Sequence, residues 1–238
     1  QRVADARHQS LQAALDWSHA LLSPDEQTVL RRLGVFRGGF TLDLARAVAI
    51  DPLLDDWAVT EALASLVERS LVGADDSDPP RYQLLESTRE YAVVRLDRAG
   101  ETQVTCRRHA QALLAVFDEA DAATRDGDRS LVATLARRCT RELDNLRAAI
   151  EWATVHDAAT AVALVASGSL LMARQSLYQE LARWYDASAP PVSSRSCCIS
   201  AISLCSSAEL SCAASAGVSV TALNTDKTTA KAMVSENC

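Results

Sequence analysis

Ser70-Leu71-Val72-Gly73, the polar run from Asp75 to Pro80, and Arg81-Tyr82-Gln83-Leu84-Leu85 together decide the fold. Two short runs of strand-forming residues flank a turn rich in Asp and Pro, which is the pattern of a β-hairpin. Helical patterns stand on both sides of it. Upstream, Trp57 to Arg69 places Val59, Leu63, Leu66 and Val67 on one inward face at helical spacing. Downstream, Ser87 to Arg98 reads as a helix that stops at Gly100, a residue suited to the left-handed turn after a helix.

Further upstream, Ser10 to Leu22 forms an amphipathic pattern with Leu11, Ala14, Leu15, Ser18 and Leu22 on one face. Ser23-Pro24-Asp25-Glu26 then restarts a helix. Ser23 is the N-cap, Pro24 fits the first turn, and Glu26 stands where a capping box needs its carboxylate. The apolar positions Val29, Leu30 and Leu33 follow, until Arg37-Gly38-Gly39-Phe40 breaks the helix and Thr41 caps a short one over Leu42 to Ala49. Helix, helix, short helix, helix, hairpin, helix is the order of a winged-helix module over residues 1–100.

From residue 101 to 189 only helical patterns appear: Gln103 to Ala123, Ser130 to Cys139, Arg141 to Val155, Ala158 to Arg174 and Leu177 to Ala187. Short breaks suit paired antiparallel helices of a TPR-like repeat array, although no strict repeat period is visible. The expected fold class is therefore mainly α, a winged helix with a small β-hairpin followed by a helical repeat segment. Trp17, Trp57, Trp152 and Trp184 fall on apolar helix faces and are expected to pack in the core. After Pro190-Pro191 the texture changes to Ser, Cys, Ala and Thr without aromatic residues or a sustained apolar period. Residues 190–238 are expected to be a low-complexity tail, disordered or not native to the repeat region.

Composition narrows the function. The 238 residues carry a net charge of -7, so the chain as a whole gains no attraction to phosphate backbones. No segment approaches the ~18 uninterrupted apolar residues of a membrane span. The start has no signal-type apolar core and no initiator Met, so the expectation is a cytoplasmic piece of a longer protein. Five of seven cysteines crowd the tail, none forms a C-x-x-C pair, and no metal site is expected. Nor is there a G-x-S-x-G or H-E-x-x-H segment, so no catalytic residues are expected.

Several separated motifs resemble the winged-helix region of bacterial STAND (NB-ARC-type) ATPase transcriptional regulators of the SARP and LuxR type. They are Arg7-His8-Gln9-Ser10-Leu11 with Leu15-Asp16-Trp17-Ser18, Leu33-Gly34-Val35-Phe36-Arg37-Gly38-Gly39-Phe40, and Leu66-Val67-Glu68-Arg69-Ser70-Leu71-Val72. The most specific is Tyr82-Gln83-Leu84-Leu85-Glu86-Ser87-Thr88-Arg89-Glu90-Tyr91-Ala92. Glu142-Leu143-Asp144-Asn145-Leu146-Arg147 resembles the first repeat that follows. The resemblance covers residues 1–189.

It implies a non-catalytic regulatory module that couples an upstream nucleotide-binding domain to a helical sensor of protein or small-molecule signals. ATP or ADP would bind only in that upstream domain. None of the eight glycines here is followed by Lys, so the phosphate-cradling loop is missing from this sequence. NB-ARC relatives place a Met-His-Asp triplet after the hairpin; here Leu84-Leu85-Glu86 stands there, and Leu cannot donate to a phosphate. Candidate interdomain or nucleotide-proximal residues are Arg7, His8, Glu86, Arg89 and Glu90, with helix-dipole and local ion-pair roles as the simpler reading. The basic clusters Arg31-Arg32, Arg107-Arg108-His109 and Arg137-Arg138 with Arg141 read as solvated faces. A winged helix that binds DNA directly is the alternative function. Against it, the would-be recognition helix, Trp57 to Arg69, carries Glu61 and Glu68 and the turn carries Asp75, Asp76 and Asp78, poor chemistry for a phosphate-lined groove.

Overall fold

A computed structural model of the chain describes residues 2–126, 129–174 and 176–188. Ten helices and one hairpin follow each other among them: α1 (Arg2–Ala20), α2 (Pro24–Leu33), α3 (Leu42–Ala49), α4 (Asp56–Glu68), β1 (Gly73–Ala74), β2 (Tyr82–Gln83), α5 (Glu86–Arg98), α6 (Thr102–Asp126), α7 (Arg129–Arg141), α8 (Leu143–His156), α9 (Ala158–Arg174) and α10 (Tyr178–Ser188). The mainly helical winged-helix reading holds, with a helical segment behind it. The tail expectation for 190–238 lies outside the described residues.

Local chemistry accounts for the helix starts. The Ser23 hydroxyl accepts the Glu26 N–H at 3.2 Å and the Glu26 carboxylate accepts the Ser23 N–H at 2.6 Å, a complete capping box with Pro24 inside it. Thr41 and Asp55 cap α3 and α4 through Leu44 N–H at 3.4 Å and Ala58 N–H at 2.8 Å. Glu26 also accepts from the Ser65 hydroxyl of α4, so the cap of α2 is tied to α4. Ser23→Ala is therefore expected to lower stability by about 1 kcal/mol. Urea unfolding followed by helical circular dichroism measures it.

Antiparallel β1 and β2 pair Gly73 with Gln83 and Ala74 with Tyr82. Tyr82 also exchanges two backbone bonds of 2.8 Å with Phe40, adding a one-residue third strand. β2 is shorter than the sequence suggests, and β1 is both shorter and displaced, sharing only Gly73 with the expected Ser70–Gly73 strand. The turn between them is organised by one carboxylate: Asp75 Oδ1 accepts from the Ser77 N–H at 3.2 Å, the Ser77 hydroxyl at 2.6 Å and the Arg81 N–H at 2.8 Å.

Leu30, Leu33, Phe36, Phe40, Leu63 and Leu66 fill the winged-helix core. α5 crosses α2 so closely at Gly34 that a Cβ there would stand 3.0 Å from both the Ala92 Cβ and the Val93 nitrogen. The core continues into α6, where His109 meets the Phe36 ring edge-on with centroids 4.9 Å apart. Beyond it α9 packs on α6 and α8, α7 on α6, and α10 on α9. Arg147 of α8 fastens α10 through Glu180 at 2.7 and 3.0 Å.

Three expectations need correction. α1 starts at Arg2 rather than Ser10, and the apolar face read there is covered only at its end: Leu11 and Ala14 are exposed, Leu15 packs partly against the core and Leu22 is buried. Trp17 and Trp57 are not core residues but 69% and 75% exposed. Periodicity reports which residues share a face; it does not report whether any element covers that face. Trp152 and Trp184 do pack partly against the core. Third, Arg31-Arg32 is not a solvated face, nor is His109 of the second basic cluster, which is buried. Arg32 is buried and donates to Glu101 at 2.9 Å, Asp51 at 2.5 Å and the Ala49 carbonyl at 2.6 Å, while Arg31 holds the other oxygen of Glu101 at 2.7 Å.

Candidate interaction surfaces of the winged helix

An open cleft of about 560 Å³ lies between the hairpin, the Phe36–Gly38 loop and the start of α5. Two of the sequence candidates, Glu86 and Arg89, line it. Glu86 is the first residue of α5, where a carboxylate complements the helix dipole. Arg89 donates to both its oxygens, at 2.5 and 3.1 Å. That hydrogen bond holds the Glu86 carboxyl below its ordinary range and raises Arg89. Arg37, on the opposite wall, is paired with Glu151 at 2.9 Å. Both cations of the cleft are thus neutralised within the chain. Glu90 is exposed on the same helix and adds a second carboxylate near Arg89. Arg7 and His8 sit on α1, and their side chains lie outside the described residues. The structure brings Glu86, Arg89 and Glu90 together.

The second surface is α4. Its outward stripe is Trp57, Glu61, Ala64 and Glu68, all exposed, and the helix contains no Lys or Arg. Leu53, 94% exposed, stands just before its cap. The nearby cations are engaged: Arg46 with Asp56 at 3.1 Å and the Thr60 hydroxyl at 3.0 Å, Arg69 with the Ser65 hydroxyl at 3.2 Å. The exposed hairpin turn adds Asp75, Asp76 and Asp78.

A third arrangement was not singled out from sequence. The side chain of Asn145, fully buried at the start of α8, accepts the Arg37 N–H at 3.0 Å and the Gly38 N–H at 3.2 Å, and donates to the Gly39 carbonyl at 3.0 Å. Its amide also donates to Glu142 at 2.7 Å. Glu142, 1% exposed, pairs with Arg81 of the hairpin, and Arg81 donates on to the Gly39 carbonyl at 2.5 Å. One buried polar cluster thus clamps the winged-helix loop and the hairpin to the helical segment. Its only signal in the sequence is two polar residues, Glu142 and Asn145, interleaved with the buried Leu143 and Leu146.

Fold and surfaces together define a winged helix followed by a helical segment. Residues 22–97 match the family of the winged helix-turn-helix domain. The chain is similar to proteins of Mycobacterium tuberculosis and Mycobacterium bovis named as candidate HTH-type transcriptional regulators. It is 43% identical to each over 152 residues, which is 63% of this chain and 17% of the relative. An uncharacterized Mycobacterium tuberculosis protein is 39% identical over 107 residues, 44% of this chain and 27% of that protein. The chain thus spans about a sixth of the length of the regulators it matches. No solved structure matches it. No helix among the described residues is long and apolar enough to cross a membrane.

Proposed function

We propose that this chain is the winged-helix and helical segment of a cytoplasmic transcriptional regulator, and that its winged helix acts by touching protein rather than by reading DNA. In this reading the whole protein is a STAND-type switch. A nucleotide-binding domain outside this sequence packs against residues 1–100, and the TPR-like helices from 101 to 189 receive the signal. The segment itself performs no catalysis. Glu86, Arg89 and Glu90 serve interdomain ion pairing beside the cleft, and Arg7 and His8 belong to the join with the upstream domain.

The observation that carries the reading is the exposed stripe of α4. A helix placed in a DNA groove needs donors and cations to meet phosphates and base edges. This one offers Glu61 and Glu68 beside Trp57, with an Asp-rich turn next to it.

The second reading is direct DNA binding, favoured by the helix-turn-helix match and by the names of the mycobacterial relatives. Fluorescence anisotropy with labelled random and promoter-derived duplexes, across a salt series, separates the two. We expect no saturable binding by the chain at physiological salt. Submicromolar binding with a steep salt slope would establish the DNA-binding reading instead.

A further inference from the structure

We propose that the exposed face of α4 is a docking site for a basic amphipathic helix of a partner protein or domain. The inference rests on the protein-contact reading above and names the chemistry of the contact. Trp57, Glu61, Ala64 and Glu68 follow one another by four, three and four residues, so they form one narrow stripe along the helix. Trp57 and Ala64 make an apolar line, and Glu61 and Glu68 an acidic line beside it. Each pair is seven residues, or about 10.5 Å, apart along the axis.

Neither Glu61 nor Glu68 has an ion-pair partner among the described residues, whereas Arg46 and Arg69 nearby are held by Asp56 and Glu26. The small side chain of Ala64 leaves room for another backbone to approach, and Trp57 is largely exposed, as is Leu53 four residues earlier in the chain. A largely exposed Trp loses little entropy on docking and gains a large buried area, which is why Trp dominates protein interfaces. Charge decides the occupant. A helix with a Leu-type seam and Lys or Arg two turns apart would cover Trp57 and meet both carboxylates, whereas an acidic surface or a nucleic acid would be repelled.

The test uses the full chain labelled with 5-fluorotryptophan, the Trp57 fluorine line being assigned by its loss in Trp57→Phe. The probe is a 21-residue helical peptide with Leu at the seam and Lys at two-turn spacing. Its control carries Glu in place of Lys. The Lys peptide is expected to shift the Trp57 line, and the Glu peptide to leave it unmoved. Glu61→Lys with Glu68→Lys should weaken binding about tenfold or more, and Trp57→Ala about 30-fold. All three positions are exposed, and an unchanged circular dichroism spectrum confirms that the variants fold.

If both peptides bind alike, or the charge reversal changes nothing, the proposal is wrong. A Trp57 shift that grows with protein concentration alone assigns the face to a second copy and also overturns it. A shift caused by duplex DNA overturns both this inference and the protein-contact reading. Silence toward peptides and DNA alike sinks the inference only.

Discussion

Glu142→Leu is expected to destabilise the chain by about 3–5 kcal/mol, the largest effect of any single substitution considered for this fold. The reason is what it leaves behind. Arg81 is 11% exposed in its side chain and would keep a buried guanidinium with only the Gly39 and Arg141 carbonyls as partners. Asn145→Ala should cost about 2–4 kcal/mol, because it strips the side-chain partner from the Arg37 and Gly38 amides and one of two donors from the Gly39 carbonyl. The pair Arg81→Met with Glu142→Leu removes both charges, so its loss should be smaller than that of Glu142→Leu alone, the signature of a coupled pair. Urea unfolding of the four proteins supplies the cycle. Amide exchange adds a local readout: Tyr82 and Phe40, which exchange two backbone bonds, should lose protection in Asn145→Ala before the amides of α2 do. Additive losses, or unchanged exchange at Phe40, would mean that the cluster does not clamp the hairpin.

This clamp also marks where sequence reading stops. Its members lie up to 108 positions apart, and nothing local to Arg37, Arg81 or Asn145 announces that they meet. What is local was legible. Ser23, Thr41 and Gly100 mark helix ends by chemistry that acts within four residues, and each end stands where its cap or turn residue implied. The Glu86–Arg89 pair was legible for the same reason, one turn apart on one helix. Phe40 was not read as a strand because a single residue between a Gly pair and an N-cap carries no period. Trp17 and Trp57 failed in a different way. Their helices are amphipathic, and an amphipathic face is buried only if another element comes to it. The same shortfall that defeated the core expectation for Trp57 turned it into a candidate contact residue. The acidic character of α4, by contrast, was plain in the sequence, since Glu61 and Glu68 are outward wherever Leu63 and Leu66 are inward.

Lowering the pH from 7 to 5 is expected to reduce stability by about 2 kcal/mol through one residue, His109. It lies on α6, 3% exposed, against the edge of the Phe36 ring, and its Nε2 has no hydrogen-bond partner. Burial alone pushes its pKa down to about 3; no neighbouring charge contributes. In the unfolded chain the same imidazole titrates near 6.5. The unfolded state therefore takes up the proton first, and stability falls as pH drops from about 6.5 toward about 3, by at most 1.36 kcal/mol per pH unit. His19 is shifted the same way, chiefly by burial, and adds to the slope. The carboxylates act lower. Asp51 and Glu101 are held below their ordinary ranges by Arg32 and Arg31, so their stabilisation is kept until pH nears the unfolded values of about 4. The interval between pH 5 and 6.5 thus belongs to the histidines. His109→Leu keeps an apolar side chain of similar size beside Phe36 and removes the titration. Its urea midpoints at pH 5 and pH 7 should differ far less than those of the parent chain, the remaining slope belonging to His19. Equal midpoints in the parent itself, or an unchanged slope in His109→Leu, would show that His109 takes a proton without opening the core. In that case the Phe36–His109 contact joining α6 to the winged helix must be looser than its burial implies.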